Sequence, residues 1–112
     1  MTEAEFQEQV VELARICGWR WLHVRRTIGR GQRWTTSTNL KGWPDLMLMR
    51  PPDGLIFAEL KTDQKGSATT PEQDELLEYL AGYPFATAVV WRPSDWPEIQ
   101  AALSRPPARR RT

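Results

Sequence analysis

Cysteine is nearly absent from this chain: Cys17 is the only one among 112 residues. That excludes an intramolecular disulfide and a cysteine-rich zinc site, and it suits a reducing cytoplasm. Long apolar runs are missing as well, since none approaches the roughly 20 residues that a membrane helix requires. The start, Met1-Thr2-Glu3-Ala4-Glu5-Phe6-Gln7-Glu8, is acidic with no apolar stretch behind it, so no secretory signal is expected. Net charge is scarce too. The 15 Lys+Arg against 14 Asp+Glu leave +1, which by itself points to no partner. With 40% hydrophobic and 26% charged residues, the composition is that of an ordinary soluble globular protein, and the length holds one core rather than two.

What is present is charge sorted by segment. Residues 1–12 carry Glu3, Glu5, Glu8 and Glu12 and no base; residues 71–80 carry Glu72, Asp74, Glu75 and Glu78 and no base. From Arg20 to Arg50 the bases Arg20, Arg25, Arg26, Arg30, Arg33, Lys41 and Arg50 face Asp45 alone. A tail over 105–112, expected to be flexible, adds Arg105, Arg109, Arg110 and Arg111. Two basic tracts within a near-neutral chain are the footprint that attracts a polyanion, although solvated loops and tails share that composition.

The periodicity predicts a mixed α/β domain over residues 1–104 in the order α-β-β-β-α-β-α. Phe6, Val10, Leu13 and Ala14 recur at helical spacing, with Thr2 as a cap and Gly18 as a stop. Residues 19–26 alternate as a half-exposed strand, and residues 27–42 read as a long basic loop. Residues 45–61 read as a hairpin about Pro51-Pro52-Asp53-Gly54. Thr70-Pro71-Glu72-Gln73 combines an N-cap, a first-turn proline and a capping-box glutamine, which predicts a helix to about Ala81. Phe85 to Trp91 is a final strand, and Asp95 to Leu103 a short helix.

Three ionisable residues stand on or beside strands that should be core: Asp45, Glu59 and Lys61. Glu59 and Lys61 are two apart and share a face, opposite Ala58 and Leu60. A four-residue turn pairing Arg50 with Leu55 would set Asp45 opposite Leu60, between Glu59 and Lys61. Buried charges of this kind are costly unless paired or used. Two carboxylates suit a hard cation such as Mg²⁺, and an ammonium beside them can orient a water for attack on phosphorus. A plain Asp–Lys–Glu salt bridge at a sheet edge is the competing reading.

The run Gly42-Trp43-Pro44-Asp45, then Glu59-Leu60-Lys61, then Gln73 at a helix start, resembles the PD-(D/E)xK nuclease superfamily, and within it the VRR-NUC domain of phage and bacterial proteins. The likeness extends over nearly the whole chain, through the Glu-rich first helix, Gly18-Trp19, His23 and Trp91-Arg92-Pro93-Ser94-Asp95-Trp96. It implies a restriction-endonuclease-like αβββαβ core and Mg²⁺- or Mn²⁺-dependent hydrolysis of DNA phosphodiesters. Asp45, Glu59 and the Leu60 carbonyl would hold the metal, Lys61 would position or activate water, and Gln73 would reach the site. An acid from the first helix would complete it; the Glu-x-x-Phe-Gln pattern points to Glu3, with Glu5 and Glu8 as rivals. Standalone members are similar to Holliday-junction resolvases, which implies branched DNA as partner and a homodimer.

The remaining residues keep two readings each. Gln73 has a structural role in the capping box besides the implied catalytic one. His23 is either a half-buried hydrogen-bonded histidine or a phosphate contact. Trp19, Trp21 and Trp91 suit the core or a sheet face. Arg25, Arg26, Arg30, Arg33 and Lys41 are the candidate DNA contacts, with Trp34 as a base-stacking ring and Trp43 as a wall beside Asp45.

Overall fold

The computed structural model describes residues 1–24, 26–28, 34–36 and 40–106; for 26–28 and 34–36 the description is of the backbone alone. Helix α1 (Glu3–Ile16) begins where the sequence asks it to. The Thr2 hydroxyl accepts the Glu5 N–H at 3.1 Å while Glu5 accepts the Thr2 N–H at 3.3 Å, a closed capping box. Phe6, Val10 and Ala14 form its buried stripe, with Leu13 packed at the margin. The chain then turns at Gly18 into strand β1 (Arg20–His23), shorter than the expected 19–26.

The stretch read as a loop contains structure. Strands β2 (Arg26–Ile28) and β3 (Trp34–Thr36) pair antiparallel in a small sheet of their own. Three-residue strands are too short to show an alternation, but Thr27, Ile28, Trp34, Thr35 and Thr36 are all residue types that favour extended backbone. Arg26, expected to end the first strand, belongs to this second sheet.

Strands β4 (Leu46–Met49) and β5 (Leu55–Leu60) form the expected hairpin with a different register. Met49, not Arg50, lies opposite Leu55, so the connection has one residue more than the turn residues implied. Arg50 lies outside the ladder, and its guanidinium turns inward on the face of Leu46 and Leu48. It donates to Asp53 at 2.9 Å, to the Cys17 carbonyl at 3.0 Å and to the Arg105 carbonyl at 2.8 Å, and it stacks 4.6 Å over Trp19. One buried arginine thus ties the ends of α1 and of the C-terminal helix to the hairpin turn. Tail residues 107–112 lie outside the described residues.

Helix α2 (Pro71–Leu80) crosses from β5 to strand β6 (Ala86–Trp91), which runs parallel to β5. A short 3₁₀ turn (Pro93–Asp95) leads into helix α3 (Trp96–Ser104). The main sheet has the order β1-β4-β5-β6: an antiparallel meander extended by one parallel strand. Leu46, Leu48, Ile56, Ala58, Leu60 and Trp91 on one face pack against Phe6, Val10 and Ala14 of α1 and Ile99 and Leu103 of α3. Trp19 joins that core through an indole hydrogen bond to the Leu103 carbonyl at 2.9 Å. The opposite face meets α2, with Phe57 edge-on to Trp43 at 5.9 Å. The domain is α/β, a four-stranded mixed sheet between helices. Among the described residues no helix is long and apolar enough to cross a membrane.

Candidate active site

The register decides what stands beside what at the exit of β5. Leu46 pairs with Ala58, so the next pair in sequence is Asp45 with Glu59, not Asp45 with Leu60 as the turn residues implied. Beyond it Leu60 would face Pro44, which has no N–H to give and whose side chain is fully buried. The ladder therefore stops, and the Asp45 side chain takes over: its Oδ2 accepts the Leu60 N–H at 2.9 Å. The Asp45 carbonyl meanwhile accepts the Val24 N–H at 3.0 Å, continuing the β1 edge. A proline next to an aspartate thus leaves the Leu60 carbonyl without a ladder donor on that side. It also plants a carboxylate against the neighbouring strand.

Glu59 is fully buried on the α2 face of β5. Its Oε1 accepts from Gln73 Nε2 at 3.0 Å and lies 3.9 Å from Lys61 Nζ. Gln73 closes the capping box at the start of α2 and also hydrogen-bonds to Glu59. Its Oε1 accepts the Thr70 N–H at 2.9 Å and its backbone N–H donates to Thr70 Oγ1 at 3.2 Å, which closes the capping box. Since Thr70 N–H can only donate, the amide oxygen must face it, and the NH₂ end must face Glu59. The start of α2 and the carboxylate of β5 are joined by one side chain.

Gly42 makes that junction possible. It sits at φ +83, and a Cβ there would lie 2.6 Å from the Glu72 carbonyl carbon and 2.7 Å from the Gln73 nitrogen. The turn before Pro44-Asp45 is pressed against the first turn of α2 at a separation that only glycine permits.

Asp45, Glu59, Lys61 and Gln73 therefore gather at one end of the sheet, with the Leu60 carbonyl among them. Two carboxylates and one carbonyl are hard oxygen donors of the number Mg²⁺ or Mn²⁺ takes from protein when it keeps several waters, so the donor set fits such an ion. Among the described residues no group of three or more His, Cys, Asp or Glu side chains is placed to hold a metal. Glu3 is exposed in the first turn of α1, bordering a groove of about 450 Å³ with Thr62, Gln64 and Ser67 just past the end of β5. Glu5 and Glu8 border a different groove, against Trp96. Glu5 is also engaged in its cap, where Thr2 hydrogen bonds hold its carboxyl below the usual range.

Of the candidate DNA contacts, Arg25, Arg30 and Arg33 lie outside the described residues, and Arg26 and Trp34 are described by backbone only, on β2 and β3. Lys41 is exposed beside Gly42 and borders a cavity of about 490 Å³ with Glu72, Glu75 and Tyr79. Trp43 is half-buried next to Asp45, whereas Trp21 is exposed on β1. His23 Nδ1 lies 3.3 Å from Gln7 Nε2, so its half-buried, hydrogen-bonded reading is met.

The clasp that closes over the exit of β5 was only faintly marked in the sequence. Arg92 Nη1 donates to the Thr62 carbonyl. Ser94 donates from its N–H and Oγ to the two Asp63 oxygens at 3.1 and 2.7 Å. These partners are about thirty residues apart, and only the polar cluster after the last apolar strand hints at them. In comparisons with known proteins, no protein family, no curated protein and no solved structure matches the chain.

Proposed function

We propose that this protein is a Mg²⁺- or Mn²⁺-dependent DNA endonuclease that acts on branched substrates such as a four-way junction. The observation that carries the reading is the fully buried Glu59 held by Gln73 and faced by Lys61, with Asp45 brought level by the register. A buried ion pair is a weak source of stability, and apolar residues in its place are often as good or better. Four polar groups sustained at a sheet end that could be filled with Leu and Val favour a chemical role. The antiparallel meander followed by a crossover to a parallel strand supports the αβββαβ order of a restriction-endonuclease-like core.

Each residue has a definite task in this reading. Asp45 and Glu59 would hold the cation with the Leu60 carbonyl, and the ion supplies charge stabilisation at the phosphorus when bound. The Leu60 N–H fixes the Asp45 carboxylate, and the Gln73 amide fixes Glu59, so neither must reorganise. Lys61 orients the attacking water and steadies it as it loses its proton. Glu3 stands in the adjoining groove as a further acid at the approach. The basic segment with β2 and β3 supplies phosphate contacts, and a homodimer provides the second site that two-strand cleavage needs.

The test is cleavage of a labelled four-way junction with and without Mg²⁺, by wild type and by Asp45→Ala, Glu59→Ala and Lys61→Ala. The three variants lose cleavage while retaining junction binding, and wild type is inactive in EDTA. Robust cleavage by Asp45→Ala would overturn the assignment. Cleavage of flaps or nicks in preference to the junction would move the substrate and leave the chemistry in place.

A further inference from the structure

The parallel ladder sets a second cation beside Lys61. Leu60 pairs with Trp91, and the Lys61 N–H donates to the Trp91 carbonyl at 3.0 Å, which makes Arg92 the residue across from Lys61. Arg92 keeps extended backbone, φ −124 and ψ 159, so its side chain leaves on the face opposite Trp91, the face that Glu59 and Lys61 share. Like charges on neighbouring strands repel. Among the described residues the half-buried guanidinium has no carboxylate partner; its one polar contact is the donation from Nη1 to the Thr62 carbonyl. Asp95, the nearest acid in sequence, is occupied by the Arg92 backbone N–H at 2.9 Å, and Asp63 by Ser94.

We infer that Arg92 is a phosphate-binding residue of the site, holding with Lys61 an oxygen of a nucleic-acid phosphodiester. A carbonyl acceptor needs only a donor, which an uncharged amide supplies equally well; a guanidinium placed beside an ammonium needs an anion. Nη1 is anchored on the Thr62 carbonyl, the Arg92 N–H on Asp95, and Ser94 two residues on is held by Asp63. The Nε and Nη2 donors are thus preorganised as a fork of the kind that fits phosphate. The proposal rests on the nuclease reading for its ligand and not for its geometry.

Junction DNA binding is measured in EDTA, where no cleavage occurs, over a series of salt concentrations, for wild type, Arg92→Gln, Arg92→Lys and Arg15→Gln. Gln keeps a donor for the Thr62 carbonyl and removes the charge. Arg15, exposed and ion-paired with Glu12 on α1, reports the effect of charge far from the site. Each phosphate contact contributes about 0.9 to the slope of log affinity against log salt. Arg92→Gln lowers that slope by about 0.9 and weakens binding roughly tenfold near 0.1 M salt, by the same counterion argument. Arg92→Lys keeps the slope, and Arg15→Gln leaves it unchanged. In wild type, the Arg92 Nε–Hε resonance moves on titration with the junction, a readout that stands if a variant fails to fold. An unchanged slope with a stationary resonance overturns the proposal, as does an equal loss in Arg15→Gln or the absence of junction binding by wild type. Arg92-dependent binding by a protein that never cleaves would instead overturn the nuclease reading and leave this one standing.

Discussion

Gly42→Ala is the substitution whose consequence the structure defines most sharply. The methyl group would meet three backbone atoms of α2 at 2.6–2.7 Å, where real Cβ contacts essentially never fall below 3.0 Å. None of them is the end of a flexible side chain, so the loop or the helix must move by several tenths of an ångström. Overpacking of this kind costs about 1–3 kcal/mol, and the left-handed backbone at φ +83 adds about 1–2 kcal/mol for any L side chain. Gly66 separates the two contributions. It has φ +92 with nothing within 4 Å of the added carbon, so Gly66→Ala carries the backbone strain alone. Urea unfolding followed by circular dichroism should place Gly42→Ala below Gly66→Ala by about 1–3 kcal/mol. The functional consequence is larger. Displacing residue 42 shifts Asp45 against Gln73 and Glu59, and misplacements of an ångström can lower turnover about a hundredfold. On the proposed nuclease function, cleavage measured well below both melting temperatures should therefore fall steeply in Gly42→Ala and little in Gly66→Ala. Equal losses of stability in the two variants would refute the close seating of the turn on α2.

Three further outcomes follow from the same contacts. Thr70→Ala should cost about 1 kcal/mol as a lost cap, and Gln73→Met about 2–5 kcal/mol because it loses the cap acceptor and a donor to a charged group together; equal values in urea titrations would mean that the Gln73–Glu59 hydrogen bond contributes nothing. Lys61→Met alone should lose about 3–5 kcal/mol by taking the countercharge from the buried Glu59, while Lys61→Met with Glu59→Leu should recover most of it; a double variant no better than the single would count against the pair. Thr2 hydrogen bonds hold the Glu5 carboxyl below its ordinary value, so the capping box is intact above the unfolded-state value and is lost as pH falls through the lower folded-state one. In an NMR titration Thr2→Ala should move the Glu5 midpoint upward, and an unmoved midpoint would assign the shift to another cause.

The near-neutral total concealed a sorted arrangement, and the parts of it that depend on neighbours in sequence were legible. The Thr70–Gln73 capping box, the Thr2 cap, the Phe6–Val10–Ala14 stripe, the hairpin and the shared face of Glu59 and Lys61 follow from interactions within a few residues, where backbone geometry dictates which side chains meet. Tertiary structure decided the rest. The register sets Asp45 across from Glu59 rather than Leu60, and Arg50 beside the turn is held by Cys17 and Arg105, which lie far off in sequence. The simultaneous use of both ends of the Gln73 amide required α2 to be set on the correct face of β5. The seat of Gly42 on Glu72, and the placing of Arg92 across from Lys61, exist only once a crossover has brought distant segments side by side. Local hydrogen bonding writes its pattern into adjacent residues; contacts between strands brought together by a helix leave none, because any segment of compatible shape can fill the other side.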